Sequence, residues 1–379
     1  MTSMTVEATW AAAAEAGLAD EAGLAADPRD LLEFTLPPER EAHEPPEARG
    51  VPRDGVALMV SRGAAGAVTH HRFTDLPELL LPGDLLVVNT SATLPAAVRL
   101  AGERLTGRAV PTGLAVHFST PLPDGHWLVE LREVRGGTTV PYPGGWPGQG
   151  LGLPGGAILT LGARFTARLW RARLSTAVVP YLLRHGEPIR YSYVPHPWPI
   201  EAYQTVFGIK PGSAEMPSAS RPFTPEVVTR LVARGVTFAP LTLHTGVSSL
   251  EGDEDPYPEP YDVPPATARL VNLTRQHGGR VIALGTTVVR ALETAAREPG
   301  AGAGVSRSSG WTGHIVTPEP GHRLLAADGL ITGLHEPRSS HLRMLAAFAD
   351  PDLLRRCYAA AIDAGYLWHE FGDLHLLLP

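Results

Sequence analysis

Four short polar segments, each directly after an apolar run, carry the side chains in this sequence that are best suited to chemistry. They centre on Asn89, His244, Gly285-Thr286-Thr287 and His335. If the apolar runs are strands of one open α/β sheet, the segments meet beyond the carboxyl ends of the strands, where ligands bind in such sheets. The pattern therefore predicts one shared polar site at this edge of the sheet.

The segment that begins at Gly285 indicates an anion-binding site. Val281 to Leu284 is typical of a short buried strand, Gly285 lets the chain turn, and Thr286 or Thr287 is placed to N-cap a helix. A helix N-terminus presents free N–H groups and a positive dipole end, which suit a carboxylate or a phosphate. Arg290 falls on the same side of this helix. An ordinary strand–helix connection, with a surface pair between this Arg and the Glu three residues later, fits the same pattern.

His335 and His244 are the candidate general bases, because imidazole titrates near neutral pH. Arg338 and Ser339 follow His335 closely. Polar groups such as these cost about 1–3 kcal/mol each when they are buried without partners, so we expect them to face a ligand or solvent. In the alternative interpretation each His binds a backbone carbonyl, and Arg338 and Ser339 only cap the following helix.

Composition narrows the class of protein. The chain has 379 residues, of which 44% are apolar and 19% charged, a balance typical of a globular protein. Cys357 is the only cysteine, which excludes intrachain disulfides and thiolate zinc clusters. No long apolar stretch and no secretory signal pattern is visible, so we expect a cytoplasmic protein without a membrane span.

The elements that must position these side chains alternate between helix and strand patterns. Residues 28–93 and 181–379 predict one major α/β domain, and the short strands with Gly/Pro turns of residues 94–180 predict an inserted small β-barrel domain. Residues 1–27 are rich in Ala and Glu and predict a disordered leader or a frayed helix. Thr224-Pro225 and Pro265 each predict a helix start.

Two Pro-rich segments predict irregular structure. Gly136 to Gly156 predicts a long loop within the inserted domain, and residues 253–265 predict an acidic loop.

The predicted inserted domain is locally basic. Residues 99–190 contain 11 Arg against five acidic residues, although the whole chain carries a net charge of −7. Four Arg crowd one predicted hairpin beside two aromatic residues: Arg164, Arg168, Arg171, Arg173, Phe165 and Trp170. Such a surface suits a nucleic-acid backbone, and a solvated strand face fits equally well.

A series of short motifs occurs in one order along the chain. They include Leu36-Pro-Pro-Glu39, Pro82-Gly-Asp-Leu-Leu-Val-Val-Asn89, Tyr203-Gln-Thr-Val206, Thr242-Leu-His-x-Gly246, Gly285-Thr-Thr-x-Val-Arg-x-Leu-Glu293, Asp328-Gly-Leu-Ile-Thr332, His335-x-Pro-Arg-Ser339 and Phe371-Gly-Asp373. Each motif alone is weak, but together they resemble the S-adenosylmethionine:tRNA ribosyltransferase-isomerase family of queuosine biosynthesis. The likeness covers residues 31–379.

The resemblance implies the α/β domain with its inserted barrel, and it implies a reaction. The ribosyl part of S-adenosylmethionine is transferred and isomerised onto 7-aminomethyl-7-deazaguanine in tRNA, which gives epoxyqueuosine and releases adenine and methionine. S-adenosylmethionine is then a co-substrate, no metal or redox cofactor is needed, and tRNA is the partner of the Arg-rich inserted domain. We expect a monomer.

The resemblance also implies site residues. The expected catalytic set is His335, His244, Arg338 and Ser339. The expected substrate-binding set is Gly285, Thr286, Thr287, Arg290, Asn89, Tyr203, Gln204, Glu259 and Asp328.

Several polar positions depart from the family pattern. The family's Asp-Thr-Arg after Asn89 is Thr90-Ser91-Ala92 here, and two of the family's His residues are replaced, one by Pro222 and one by Tyr257. Two alternatives therefore stand beside the tRNA-modifying transferase. One is a related enzyme that uses S-adenosylmethionine with another acceptor, such as a small molecule. The other is a non-catalytic binding protein on the same scaffold.

Overall fold

The computed structural model describes residues 33–100, 113–135, 138–247, 257–299, 301–317, 324–337 and 339–379. The leader predicted for residues 1–27 and the candidate Arg338 lie outside the described residues.

Within these residues the chain forms eighteen strands and seven α-helices. The strands are β1 Ala57–Arg62, β2 Ala67–Arg72, β3 Leu85–Asn89, β4 Ser91–Thr93, β5 Ala97–Arg99, β6 Leu114–Pro121, β7 Trp127–Arg135, β8 Thr138–Pro141, β9 Gly150–Gly152, β10 Ile158–Arg164, β11 Leu169–Leu174, β12 Lys210–Ser213, β13 Thr237–Leu243, β14 Glu259–Val263, β15 Val281–Leu284, β16 Ser308–Thr312, β17 Gly329–Gly333 and β18 Leu374–Leu378. The helices are α1 Leu76–Leu79, α2 Val178–His185, α3 Pro225–Ala233, α4 Pro265–Gln276, α5 Thr286–Ala296, α6 Ser340–Leu345 and α7 Pro351–Asp363.

A nine-stranded mixed sheet forms the centre, in the order β16-β14-β13-β3-β15-β17-β18-β1-β2. The four strands β13, β3, β15 and β17 run parallel, so their carboxyl ends share one edge. β18 runs antiparallel to β17, and Gly333 pairs with Leu374. The loop before β18 therefore lies at the same edge as the loop after β17.

The central strands are apolar on both faces because helices cover both faces. Alternate residues of β3 and β15 divide between two cores. Leu85 and Val281 pack on the side of α4 to α7, whereas Leu86 and Ile282 pack on the side of α1 and α3. The mixed helix and strand architecture is as predicted.

The helix start predicted at Thr224-Pro225 is confirmed, and its cause is a side-chain cap. The Thr224 hydroxyl accepts a hydrogen bond from the Val227 N–H, and Pro225 stands at the first helical position, where its missing N–H costs nothing. The helix predicted from Pro265 is also present as α4.

A second, antiparallel sheet of seven strands has the order β5-β6-β7-β11-β10-β9, and β8 pairs with β7. It spans Ala97 to Leu174 and has its own apolar cluster, which includes Phe118, Leu131 and Leu161. β4 and β12 form a separate two-stranded parallel pair. In the chain, β4 comes just before the strands of the second sheet and β12 comes just after them.

Two loop predictions are wrong. The segment Gly136 to Gly156 contains β8 and β9, and the predicted acidic loop of residues 253–265 contains β14. In both places strand pairing supplies the partners for the backbone, and this tertiary pairing outweighs a Pro-rich local sequence. Pro260 faces Trp311 across the β14–β16 pair.

Candidate active site

A cleft of about 770 Å³ opens at the carboxyl edge of the central sheet, and β7 and β8 of the second sheet contribute to its wall. Eight residues predicted from the sequence line it: Tyr203, Glu259, Gly285, Thr286, Thr287, Arg290, His335 and Ser339. Asn89, Gln204, His244 and Asp328 do not.

The start of α5 forms one side of the cleft. Gly285 is the N-cap residue, with φ +93°, so the prediction that Thr286 or Thr287 caps the helix is wrong. The cause is the Gly285 N–H, which donates to the Ile331 carbonyl at 2.8 Å and extends the sheet by one residue before the chain turns. Since α5 begins at Thr286, the N–H groups of Thr286 and Thr287 precede its first intrahelical hydrogen bond.

Arg290 is buried and already engaged. Its guanidinium forms a buried ion pair with Glu259 and donates to the backbone carbonyls of Tyr257, Thr312 and His314, each at 3.2 Å. The Gly246 N–H donates to the other oxygen of Glu259 at 3.0 Å. This pair therefore ties α5 to β14 and β16 and shapes the wall of the cleft.

Glu293, one turn after Arg290, is fully buried and does not form the surface pair that the sequence allowed. Its carboxylate accepts the N–H groups of Leu325, Ala326 and Ala327 at 2.9–3.2 Å and pairs with Arg297 at 2.7 Å. The middle of α5 is thereby fixed to the segment that leads into β17.

His335 follows β17 and faces the cleft. Its Nε2 lies 2.8 Å from the Thr332 hydroxyl, and its carbonyl accepts a hydrogen bond from the Trp368 indole at 3.0 Å. Burial, and then the neighbouring His341 and His369, lower the pKa of His335 well below its usual 6.5. The imidazole is therefore neutral at physiological pH.

His341, which the sequence reasoning missed, stacks on His335 with ring centroids 4.3 Å apart and planes 9° from parallel. Burial and the charge of Arg290 lower the pKa of His341 to about 4. The available signal was its position two residues after Ser339, in the first turn of α6. The Ser339 hydroxyl accepts the Leu342 N–H at 3.4 Å, so Ser339 caps that helix and also lines the cleft.

His244 lies behind the lining of the cleft. Its Nδ1 is 2.7 Å from the Ser91 hydroxyl, and its ring occupies the space that a side chain at Gly212 would need, since a Cβ there would lie 2.4 Å from Nδ1. Burial and the nearby Lys210 lower the pKa of His244. Its contacts are those of a group that supports the strand ends.

Asn89 connects three of the predicted segments. Its amide donates to the Leu243 carbonyl at 2.9 Å and to the Thr287 hydroxyl at 3.3 Å, and its oxygen accepts the N–H groups of Leu243 and Ser91. Asn89 therefore holds β3, β13 and the start of α5 in register beneath the cleft.

Gln204 and Asp328 have backbone partners elsewhere. The Gln204 amide brackets the backbone of Thr93, at 3.2 and 2.8 Å. Asp328 precedes β17, at the amino edge of the sheet, where it accepts the Val281 N–H at 2.9 Å. Because the two edges are separated by the length of the strands, Asp328 does not reach the cleft.

A further group of residues, missed in the sequence, closes the side of the cleft next to β18. The Tyr193 hydroxyl donates to the Glu370 carboxylate at 2.6 Å, and the Tyr193 ring stacks on His369 at 3.8 Å. Burial, above all, raises the pKa of Glu370 to about 7. The Tyr203 hydroxyl is buried beside them. The signal in the sequence was the pair His369-Glu370, polar residues between two aromatic ones.

Most of the Arg residues of the predicted hairpin bind within the second sheet. Arg168 and Arg132 pair with the buried Glu130 at 3.1 and 2.8 Å, and Arg171 pairs with Asp124. Arg164 lies 4.5 Å over the Trp170 ring. These pairs neutralise much of the positive charge that suggested a nucleic-acid surface.

The described residues contain no group of three or more His, Cys, Asp or Glu side chains arranged to hold a metal ion. None of the helices in the described part of the chain combines the length and the apolar character that a membrane crossing requires.

A family model described as "Queuosine biosynthesis protein" matches residues 29–377. Proteins named S-adenosylmethionine:tRNA ribosyltransferase-isomerase are similar along nearly their whole length. The one from Acidiphilium cryptum is 37% identical over 362 residues, covering 91% of this chain and 98% of that protein. The one from Thermus thermophilus is 36% identical over 368 residues, covering 92% and 99%.

The crystal structure of S-adenosylmethionine tRNA ribosyltransferase from Thermotoga maritima is similar with a TM-score of 0.51 and 28% identity, and it covers 92% of this chain and 100% of that one. The family model and the named relatives each match most of the chain. The chain belongs to the queuosine biosynthesis family of S-adenosylmethionine:tRNA ribosyltransferase-isomerases.

Proposed function

We propose that this chain transfers and isomerises the ribosyl moiety of S-adenosylmethionine onto 7-aminomethyl-7-deazaguanine in tRNA, forming epoxyqueuosine and releasing adenine and methionine. Family membership supports the reaction. We assign the reaction to this cleft because the open N-terminus of α5 and the neutral His335 line the same cavity.

S-adenosylmethionine is the co-substrate, and its methionine carboxylate binds at the start of α5. The N–H groups of Thr286 and Thr287 and the helix dipole favour an anion there. Gly285 permits the turn that presents them. Arg290, held by Glu259 and three carbonyls, acts as a positioning residue whose contacts fix α5 in place.

His335 is the general base. The sulfonium of S-adenosylmethionine acidifies the adjacent C5′ protons, so a neutral imidazole is strong enough to remove one. His341 stacks on His335 and holds its ring plane. His244 and Asn89 support the strand ends from behind, and Ser339 shapes the turn after β17. The roles of Arg338 and of Gln204 stay predictions from the sequence.

The second sheet is an inserted β-barrel domain that helps to hold tRNA beside the cleft. Its strands fall within the predicted boundaries of 94 and 180, and β7 and β8 border the cavity. Because Arg168 and Arg171 are paired within the sheet, RNA contact depends on Arg side chains that remain exposed, such as Arg173 and Arg184. A monomeric, cytoplasmic protein stays the expectation.

The test is incubation of the full chain with S-adenosylmethionine labelled in adenine, with tRNA carrying 7-aminomethyl-7-deazaguanine. Matched reactions contain tRNA with guanine at that position, or no tRNA. We expect release of labelled adenine only with the modified tRNA. Adenine release that is independent of tRNA would mean that water takes the place of the tRNA base, and added small-molecule amines would then test for a different acceptor. Binding of S-adenosylmethionine without release under any condition would indicate a non-catalytic binding protein.

A further inference from the structure

The side of the cleft next to β18 contains oxygen atoms that the reaction proposed above does not yet use. Glu370 and Tyr193 line the cleft, and their carboxylate and hydroxyl oxygens lie 2.6 Å apart. Glu336, on the loop after β17, also lines it and contacts His369 at 3.3 Å. This side of the cleft is therefore rich in negative and acceptor groups, whereas the start of α5 favours anions.

A buried hydroxyl in the same wall has no protein partner. Tyr203 is 3% exposed and lines the cleft, and its hydroxyl makes no hydrogen bond to any described residue. A buried hydroxyl without a protein partner costs free energy, so a ligand donor in this position would gain a hydrogen bond from it. The Tyr203 ring packs against Phe371, the residue next to Glu370, with ring centroids 5.2 Å apart.

We infer that Glu370, together with the hydroxyl groups of Tyr193 and Tyr203, forms a subsite for a primary ammonium group, and that the acceptor's aminomethyl group occupies it. This inference rests on the proposed function. A primary ammonium has three N–H donors and no acceptor, so it matches one carboxylate and two hydroxyl oxygens. A charge-assisted hydrogen bond to the carboxylate supplies most of the attraction.

The sheet order favours the acceptor over the methionine part of S-adenosylmethionine. The strands β15, β17 and β18 are successive neighbours, so His335 after β17 stands between the start of α5 and the Glu370 loop before β18. With the methionine carboxylate at α5, the amine of the acceptor approaches the ribosyl group from the opposite side of His335. Loss of one ammonium proton to the Glu370 carboxylate then leaves the neutral amine as the nucleophile.

The charged groups around the subsite leave its potential negative. Glu336 and Glu41 lie on two sides of His369, at 3.3 and 3.7 Å from its ring nitrogens. Burial lowers the pKa of His369 to about 4, so this ring is neutral at physiological pH and does not cancel the carboxylates. Three Arg residues share the cleft wall, and each is already engaged: Arg132 pairs with Glu130, Arg290 pairs with Glu259, and Arg190 donates to the carbonyls of Val194 and Pro195.

The experiment compares binding of two tRNA anticodon hairpins that differ only in the base, 7-aminomethyl-7-deazaguanine or guanine, by fluorescence anisotropy at pH 8. The parent is expected to bind the aminomethyl hairpin at least about tenfold more tightly, since a charge-assisted hydrogen bond is worth roughly that much. Glu370→Gln keeps the shape and an oxygen for Tyr193, and we expect it to abolish the preference. Glu201→Gln, an exposed carboxylate two residues before Tyr203, is the matched control and retains it.

Binding of S-adenosylmethionine is measured on the same proteins by calorimetry, and we expect Glu370→Gln to leave its Kd within about twofold of the parent. A preference that is equal in parent and variant, or absent from the parent, overturns the inference. A Kd for S-adenosylmethionine that rises tenfold with an unchanged hairpin preference also overturns it, because the subsite then reads the ammonium of methionine. These readouts need no turnover, so failure of the inference and failure of the proposed reaction are separate results.

Discussion

The two edges of the central sheet carry the same kinds of polar side chain and use them differently. At the amino edge, Asp84 accepts two N–H groups of the Arg280 guanidinium and the Leu81 N–H, and Asp328 accepts the Val281 N–H. At the carboxyl edge, Thr286 and His335 face a cleft. The residue type does not distinguish a structural group from a functional one. The proposed functional groups stand at the carboxyl edge, where supporting groups such as Asn89 and His244 also stand.

The largest effect is expected where the carboxyl edge contains a structural pair. Arg290→Ala leaves the Glu259 carboxylate buried without its partner, which costs about 3–5 kcal/mol in the free energy of unfolding. Urea unfolding measures it. Arg230→Ala is the control, because the exposed Arg230–Glu78 pair contributes about 0–1 kcal/mol. If Arg290→Ala instead weakens S-adenosylmethionine binding by about 1.5–3 kcal/mol with stability unchanged, the guanidinium is a ligand group, as the sequence suggested.

The second prediction compares the rate of adenine release in two variants, one at the carboxyl edge of the central sheet and one at the amino edge. His335→Ala should slow adenine release at least about a hundredfold while the protein stays folded by circular dichroism, because a general base is removed. Asp328→Ala should leave the rate unchanged and lower the free energy of unfolding by about 1 kcal/mol, since only backbone and surface contacts are lost. An equal rate loss in both variants would contradict the division of roles. His244→Ala is expected to fall between them.

Gly285 tests whether the turn at the carboxyl edge depends on backbone conformation alone. A Cβ at Gly285 would meet no atom closer than 3.7 Å, so space is available, but φ +93° is a region that other residues avoid. Gly285→Ala should therefore cost about 1–3 kcal/mol through strain. The matched variant is Gly278→Ala at the amino end of the same strand, with φ +73° and open space around it. Thermal unfolding and S-adenosylmethionine binding separate the two, since only the Gly285 variant should lose affinity.

The smallest effect concerns pH. Burial raises the pKa of Glu370 from 4.5 to about 7, so the folded protein holds a proton between these values that the unfolded chain releases. This contribution to stability is present below about pH 4.5 and is lost as the pH rises to about 7. Glu370→Gln should therefore raise the Tm at pH 8 and leave it unchanged at pH 4. A lower Tm at pH 8 would mean that the carboxylate stabilises the fold.

The sequence predicted the elements whose local signals agree with their packing. The strand Val281–Leu284, the helix after it and the capped start of α3 are examples, because apolar periodicity and capping residues act locally. The strands β8, β9 and β14 were missed, because their Gly- and Pro-rich segments become strands only by pairing with distant partners. Because β15 and β17 run parallel, Gly285 and His335 both lie at the carboxyl edge of the sheet, as predicted.

The sequence could not reveal which polar residues have partners. Arg290 is consumed by Glu259, a residue 31 positions away, and Asp328 stands at the opposite edge. Tyr193 reaches Glu370 across 177 positions of the chain. Such encounters depend on tertiary contacts between segments far apart in the chain, and no local pattern encodes them.

The Glu293 carboxylate couples two sides of the cleft, the start of α5 and the loop after β17 that carries His335. It joins the midpoint of α5 to the backbone of Leu325 to Ala327, just before β17, the strand that His335 follows by two residues. A rotation of α5 would therefore displace the segment before β17 as well. The start of α5 and His335 consequently keep their spacing as the protein fluctuates. The rigidity of this buried contact between Glu293 and the segment before β17, away from the cleft, then determines how well the reacting groups are aligned.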